Sequence, residues 1–310
     1  MSALFLTFIQ GFILLLLAPL SLGFVRLFKA RLQGRKGASP FLIYFTLLTL
    51  LKKELVISTS TSWVFRLVPF VVLGSSLFLI FTLPLLGVGG LFASFSDFIF
   101  VSGVLTLSAV FLVLGGLDSA SAFGGMGSSR EMTIASLLEP TIVVTFATLV
   151  IASGTNLLDG VLIVGGQGLW IHPELFLTIL ALLLIALAEN ARYPVDNPAT
   201  HLELTMVHEA MVLEYSGPYL AMLEYASTLK LTIFALLIAN LFAPIFLLSA
   251  GWGIIELVIG CVLIVLKLII LMFALALLES SIAKMRFFRV QEYLSLAFFI
   301  ALTGLILTVL

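Results

Sequence analysis

The chain has 310 residues, 62% hydrophobic and 10% charged, with 15 basic against 16 acidic residues and a formal net charge of −1. Soluble domains carry about 25% charged residues, so these numbers exclude a soluble enzyme and imply an integral membrane protein. A lone cysteine, Cys261, excludes a disulfide framework. It also excludes an iron–sulfur cluster held by this chain alone, since a cluster takes about four ligands.

A spanning helix needs roughly 20 mostly apolar residues. Eight segments qualify, at about 3–25, 64–86, 98–117, 131–153, 174–190, 219–247, 253–279 and 291–310. The first lacks the basic flank of a cleavable signal peptide and is long enough to be retained as a span. Within the connection 26–63, Phe41–Leu51 is apolar but too short to cross, so it reads as an interfacial or re-entrant helix ended by Lys52 and Lys53. The glycine-rich stretch 118–130 has neither Gly-Lys-Ser/Thr nor the third glycine of a dinucleotide fingerprint. It predicts a tight turn and a helix whose first turn is capped by Ser128 with Glu131. Pro69 and Pro140 are expected at first-turn positions, which proline tolerates. The expected fold is an all-α integral membrane protein, a single domain over 1–310, with eight transmembrane helices plus a short interfacial helix.

Lysine and arginine set the orientation. Arg26, Lys29, Arg31, Arg35, Lys36, Lys52, Lys53 and Arg66 belong to the first connection. Arg130 borders the third, Arg192 the fifth, and Lys284, Arg286 and Arg289 the seventh. Thus 13 of the 15 basic residues fall on one side, and the other two, Lys230 and Lys267, fall inside spans. By the positive-inside rule that side is cytoplasmic and both termini are outside, with the chain in the cell inner (cytoplasmic) membrane.

The segment 190–218 is the richest in chemistry. With the adjoining Glu189 it supplies Asp196, Glu203, Glu209 and Glu214, together with His201 and His208. Ionisable groups beside hydrocarbon are costly and tend to be functional. His208-Glu209 starts like a zinc-protease helix but has no second histidine four residues on, so no metal site is expected. Glu139, Glu224, Lys230, Lys267 and Glu279 lie inside or at the ends of spans. Static ion pairs between helices would account for one or two of them. With Glu189, Glu203, Glu209 and Glu214 they also form the series of titratable groups that a proton path needs.

Arg192-x-Pro194-x-Asp196-x-Pro198, followed by Glu203-Leu204 and Glu214-Tyr215-Ser216-Gly217, resembles the signature of the complex I subunit 1 family. The run Asp196-Asn-Pro-Ala-Thr-His201-Leu-Glu203-Leu-Thr-Met-Val-His208-Glu209 is similar to its hydrogenase branch, that of formate hydrogenlyase and hydrogenase-4. Gly124–Ala135 and Ala283–Arg289 fit that branch as well. The resemblance implies a membrane anchor and ion-coupling subunit that links a hydrophilic iron–sulfur/[NiFe] arm to proton or sodium translocation. The cofactors would sit on partners: an iron–sulfur small subunit, a hydrogenase-like large subunit and antiporter-like membrane subunits. It implies docking of the arm at Arg130, Arg192, Asp196, His201, Glu203, His208 and Tyr215. The alternatives are a quinone-reducing complex I-like enzyme or a related complex with another soluble partner. One departure stands out: Phe41–Thr49 is apolar where the branch carries a polar stretch, leaving Tyr44 as the comparable side chain.

Overall fold

The computed structural model describes residues 3–165, 173–196, 206–242, 253–283, 285 and 287–310. These form α1 (Ala3–Leu32), α2 (Leu42–Lys52), α3 (Trp63–Thr82), α4 (Phe98–Asp118), α5 (Ala122–Ser153) and α6 (Leu158–Gly165). They continue with α7 (Pro173–Glu189), α8 (His208–Val212), α9 (Gly217–Phe242), α10 (Ile254–Ser281) and α11 (Phe287–Val309). No strand occurs among the described residues.

Seven of these helices, α1, α3, α4, α5, α9, α10 and α11, are long and apolar enough to cross a membrane. The expected span 174–190 corresponds to α7, which has 17 residues and is shorter than the others. The expected interfacial segment is α2, whose Ile43, Leu47 and Leu50 are buried while Phe41, Leu42, Phe45 and Leu48 face outward.

The bundle is closed differently at its two ends. At one end α3 stops at Thr82 and the chain continues as a buried, non-helical segment, 83–87. Its backbone groups would be orphaned in an apolar interior. Gln10 prevents this by donating to the carbonyls of Ile80 and Leu83 at 2.8 and 2.7 Å and accepting from Leu86 N at 3.1 Å. Asn240 donates to the Leu85 carbonyl at 2.9 Å, and Asp159 accepts from Gly89 N at 2.7 Å.

The opposite end gathers the connections 33–62, 119–121, 190–196 and 206–216, with 282, 283 and 285. Cross-links fix this arrangement: Ser216 Oγ to Val56, Arg192 to Glu279, and Met285 N to the Pro194 carbonyl. Arg35, Lys36, Lys52, Lys53 and Arg192 lie in these connections.

Two local expectations are corrected. The glycine-rich stretch is helical: α5 begins at Ala122, capped by Ser121, whose hydroxyl accepts from Gly124 N at 3.0 Å. Ser128 and Glu131 therefore lie within the helix, and Ser128 donates to the Val113 carbonyl of α4 at 3.0 Å. Because α5 starts earlier, Pro140 is interior to it, and Pro69 likewise lies inside α3.

Candidate functional site: a polar chamber at the basic end

The C-terminal ends of α1, α7 and α10 meet the N-terminal end of α9 around a cavity of about 330 Å³. One wall is apolar, built from Leu22, Ile43, Leu47, Leu220 and Leu223. The other carries Arg26, Lys29, Arg35 and Arg192 facing Asp196, Glu209, Glu224 and Glu279. Four basic and four acidic side chains leave the lining balanced, with neither sign in excess.

Glu279, at the end of α10, is the anchor of this wall. Its carboxylate receives Lys29 Nζ at 3.1 Å and an Arg192 guanidinium nitrogen at 3.2 Å, and its side chain is only 2% exposed. Burial pulls the Arg192 pKa down, and Glu279 opposes that pull. Lys29 also sits 4.6 Å from the centre of the Tyr193 ring, a cation–π contact. Burial raises the Tyr193 pKa, with Glu279 and Asp196 adding to it, so its hydroxyl stays protonated.

Behind the chamber lies a second, small cavity of about 40 Å³, whose lining includes Glu131, Glu189, His208 and Lys230. Lys230 and Glu189 form a direct ion pair there. His208 lines both spaces, as do Asn190, Leu223 and Ser227. Its backbone N–H is directed at the Asp196 carboxylate, 3.4 Å away. Burial, and secondarily the charge of Lys230, lower the imidazole pKa to about 4 despite Asp196. At neutral pH the ring is uncharged.

α8 is held where it is by small residues on α4 and α5. A Cβ at Gly127 would lie 2.9 Å from both the Ala210 methyl and the Val207 carbonyl. One at Gly116 would lie 3.1 Å from the Met211 side chain. Arg130 donates to the Met206 carbonyl at 2.8 Å. Just beyond α8, Tyr215 stacks on Phe65 at 4.0 Å between ring centres and donates to its carbonyl at 3.3 Å. Burial raises the Tyr215 pKa, so this donor is permanent.

The sequence-predicted residues thus separate. Arg192, Asp196, His208, Glu209, Glu224 and Glu279 meet at the chamber, and Glu189 and Lys230 meet behind it. Lys267 donates to Asn240 Oδ1 at 2.9 Å. Asn240 is ten residues beyond Lys230 on α9, or about 15 Å along the axis. Glu139 is two turns beyond Glu131 on α5 and lines neither cavity, and Glu214 is exposed. His201 and Glu203 lie outside the described residues. Sequence reasoning missed Glu131 and Asn190 as cavity-lining groups. It also missed the packing role of Gly116, which was counted within a span, and of Gly127, whose glycine-rich stretch was read as a turn. Among the described residues no group of three or more His, Cys, Asp or Glu could hold a metal ion.

A bundle of helices long and apolar enough to cross a membrane, with a charged chamber at one end and an ion-paired cavity behind it, defines a multi-pass membrane protein with an internal ionisable network. The chain belongs to the NADH dehydrogenase family, whose description matches residues 4–309. It is 32% identical over 295 residues to hydrogenase-4 component C of Escherichia coli strain K12, covering 94% of this chain and 91% of that protein. It is 28% identical over 288 residues to formate hydrogenlyase subunit 4 of the same organism, covering 90% of each. A subunit of the NADH-quinone oxidoreductase of Pelagibacter ubique is 26% identical over 270 residues, covering 84% of this chain and 78% of that one. The fold is also that of a chain in the membrane-bound sulfane sulfur reductase, an archaeal respiratory membrane complex. That match has a TM-score of 0.83 at 16% identity and covers 97% of this chain and 99% of the other.

Proposed function

We propose that this chain is the membrane anchor and ion-coupling subunit of a hydrogenase-4/formate hydrogenlyase-type respiratory complex. The observation that carries the reading is the balanced chamber at the basic end backed by the Glu189–Lys230 cavity. A soluble arm docked there would change its field where titratable groups are already buried. In this reading α7 is the eighth span, α2 lies at the interface, and the basic end faces the cytoplasm of the inner membrane, with both termini outside. The arm contacts Arg130, Arg192, Asp196, His201, Glu203, His208 and Tyr215. Its iron–sulfur clusters and nickel–iron centre belong to partner subunits, and antiporter-like subunits adjoin the bundle.

Ions, protons or sodium, would then be signalled or passed through Glu203, Glu209, Glu214 and Glu224 to Glu189 and Lys230, and onward by Glu139 and Lys267. Glu279 takes the anchoring task, because two cations already engage it. A second reading, a quinone-reducing arm, is favoured by one feature, the apolar wall of Leu22, Ile43, Leu47, Leu220 and Leu223. The remaining alternative is a related complex with a different soluble partner, which the apolar outward face of α2 supports.

Affinity purification of the chain from its own membranes, with identification of the co-purifying subunits and an assay of hydrogen evolution, tests the reading. A four-cysteine nickel-binding large subunit and hydrogen evolution are expected. A stable complex with neither sinks it. Glu139→Gln and Glu203→Gln are expected to lower ion movement per turnover, and unchanged coupling in both removes the path.

A further inference from the structure

The outer chamber and the inner cavity touch through a thin partition made of Asn190, His208, Leu223 and Ser227. Only one of these four side chains titrates. We propose that the His208 imidazole is the relay through this partition, taking a proton at one ring nitrogen from the chamber side and releasing one from the other toward Glu189 and Lys230.

The proposal rests on the ion-coupling reading above and adds the place where the chamber meets the interior. It stands on geometry: His208 begins α8, which is wedged against α4 and α5 by the close approaches at Gly116 and Gly127. The ring therefore keeps its position while facing two cavities.

The charged and titratable groups around it come from every neighbouring element. α5 brings Arg130 and Glu131, α7 brings Glu189, and the turn after α7 brings Arg192 and Asp196. α8 itself brings Glu209, α9 brings Glu224 and Lys230, α1 and α10 bring Arg26, Lys29 and Glu279 across the chamber, and the connection after α1 brings Arg35. A neutral imidazole carries one N–H donor and one acceptor nitrogen, which is the inventory a two-sided relay needs. Charge balances at each passage: one proton enters at one nitrogen, one leaves from the other, and the ring is neutral again as the opposite tautomer, which a ring flip resets. The low pKa fits such a role, because a proton that enters is not retained. A docked arm that moved Asp196, whose carboxylate accepts from the His208 backbone N–H, would alter how readily the ring accepts a proton.

The test uses the native complex, reconstituted in sealed vesicles, with ion movement measured per turnover across pH. His208→Gln keeps hydrogen-bonding capacity but cannot titrate, and it is expected to lower ion movement per turnover by about tenfold or more. A merely structural role would be rescued by Gln, so wild-type coupling in His208→Gln overturns the proposal. If His208→Gln does not assemble, His208→Glu decides. Coupling restored with its pH profile moved from the wild-type position supports a relay, and a profile identical to wild type overturns it. A wild-type complex that turns over without moving ions overturns the coupling reading and the relay together. Coupling in wild type that survives the loss of His208 overturns the relay alone.

Discussion

Removing the Glu279 carboxylate should be the most costly single change at the basic end. Glu279→Gln leaves Arg192, itself buried, and Lys29 facing an amide in place of the anion that both contact at 3.1–3.2 Å. Breaking a buried ion pair by removing one partner costs about 3–5 kcal/mol. The lower figure applies here, because Gln can still accept one of the two hydrogen bonds and Lys29 is partly hydrated. A cost of about 3 kcal/mol corresponds to a change of roughly 100-fold in a local opening equilibrium. Hydrogen exchange in the detergent-solubilised complex reads this directly. The reporters are the amides of Arg192, Val195, Asp196 and Met285, which bond to Leu187, Arg192, Arg192 and Pro194 carbonyls. They should exchange about 100-fold faster in the variant if local opening limits exchange. A double variant, Glu279→Leu with Arg192→Leu, removes the unpaired charge as well and should recover most of the loss. If the single variant exchanges like wild type, or is no worse than the double, the triad does not hold this wall.

Other expectations follow from the same geometry. His208 has a folded pKa of about 4 against about 6.5 when unfolded. The unfolded chain therefore binds the extra proton first, and stability should fall as pH drops from about 6.5 to about 4. Thermal scans of wild type and His208→Phe check this, and the variant should lack that component. Gly127→Val forces atoms onto the Ala210 methyl and the Val207 carbonyl. Overpacking of this kind costs about 1–3 kcal/mol, and limited proteolysis should cut 206–216 faster than in wild type. Asp118 accepts from Ser62 N and Phe65 N at 2.8 and 3.2 Å. Asp118→Ala should cost about 1 kcal/mol at the start of α3, seen as faster exchange at those two amides. Gln10→Leu strips two carbonyls and one amide of partners, each worth about 1–3 kcal/mol when buried. It should abolish stable assembly, which size-exclusion chromatography of the solubilised complex would report.

What the sequence disclosed was whatever depends on composition over a window. Span positions and the clustering of basic residues on alternate connections needed only hydropathy and charge. What it hid depended on proximity between distant residues. Glu189 and Lys230 are 41 positions apart and meet only because α7 and α9 pack together. Glu279 gives no sign in the sequence that Lys29, 250 positions earlier, will reach it. The glycines at 124–127 read as a turn because glycine is a poor helix former. Tertiary packing outweighs that propensity here, since a side chain at Gly127 would exclude α8. The capping signal at Ser128 and Glu131 was chemically sound but misplaced, because Ser121 starts the helix two turns earlier. With the start displaced, Glu131 passes from a surface cap to a lining group of the inner cavity.

That displacement changes what the charged end can do. Had α5 begun near Ser128, Glu131 would have been a surface cap. As built, Arg130 holds the backbone just before α8, and Glu131 lies behind it, in the cavity with Glu189 and Lys230. The same helix thus positions the segment that carries His208 and supplies a carboxyl to the space His208 faces. A partner that displaced α8 would also shift the field felt by Glu131, Glu189 and Lys230, because α8 packs on α5 at Gly127 with no slack. Coupling between surface and interior then needs no long chain of contacts, only one short helix wedged between the two cavities.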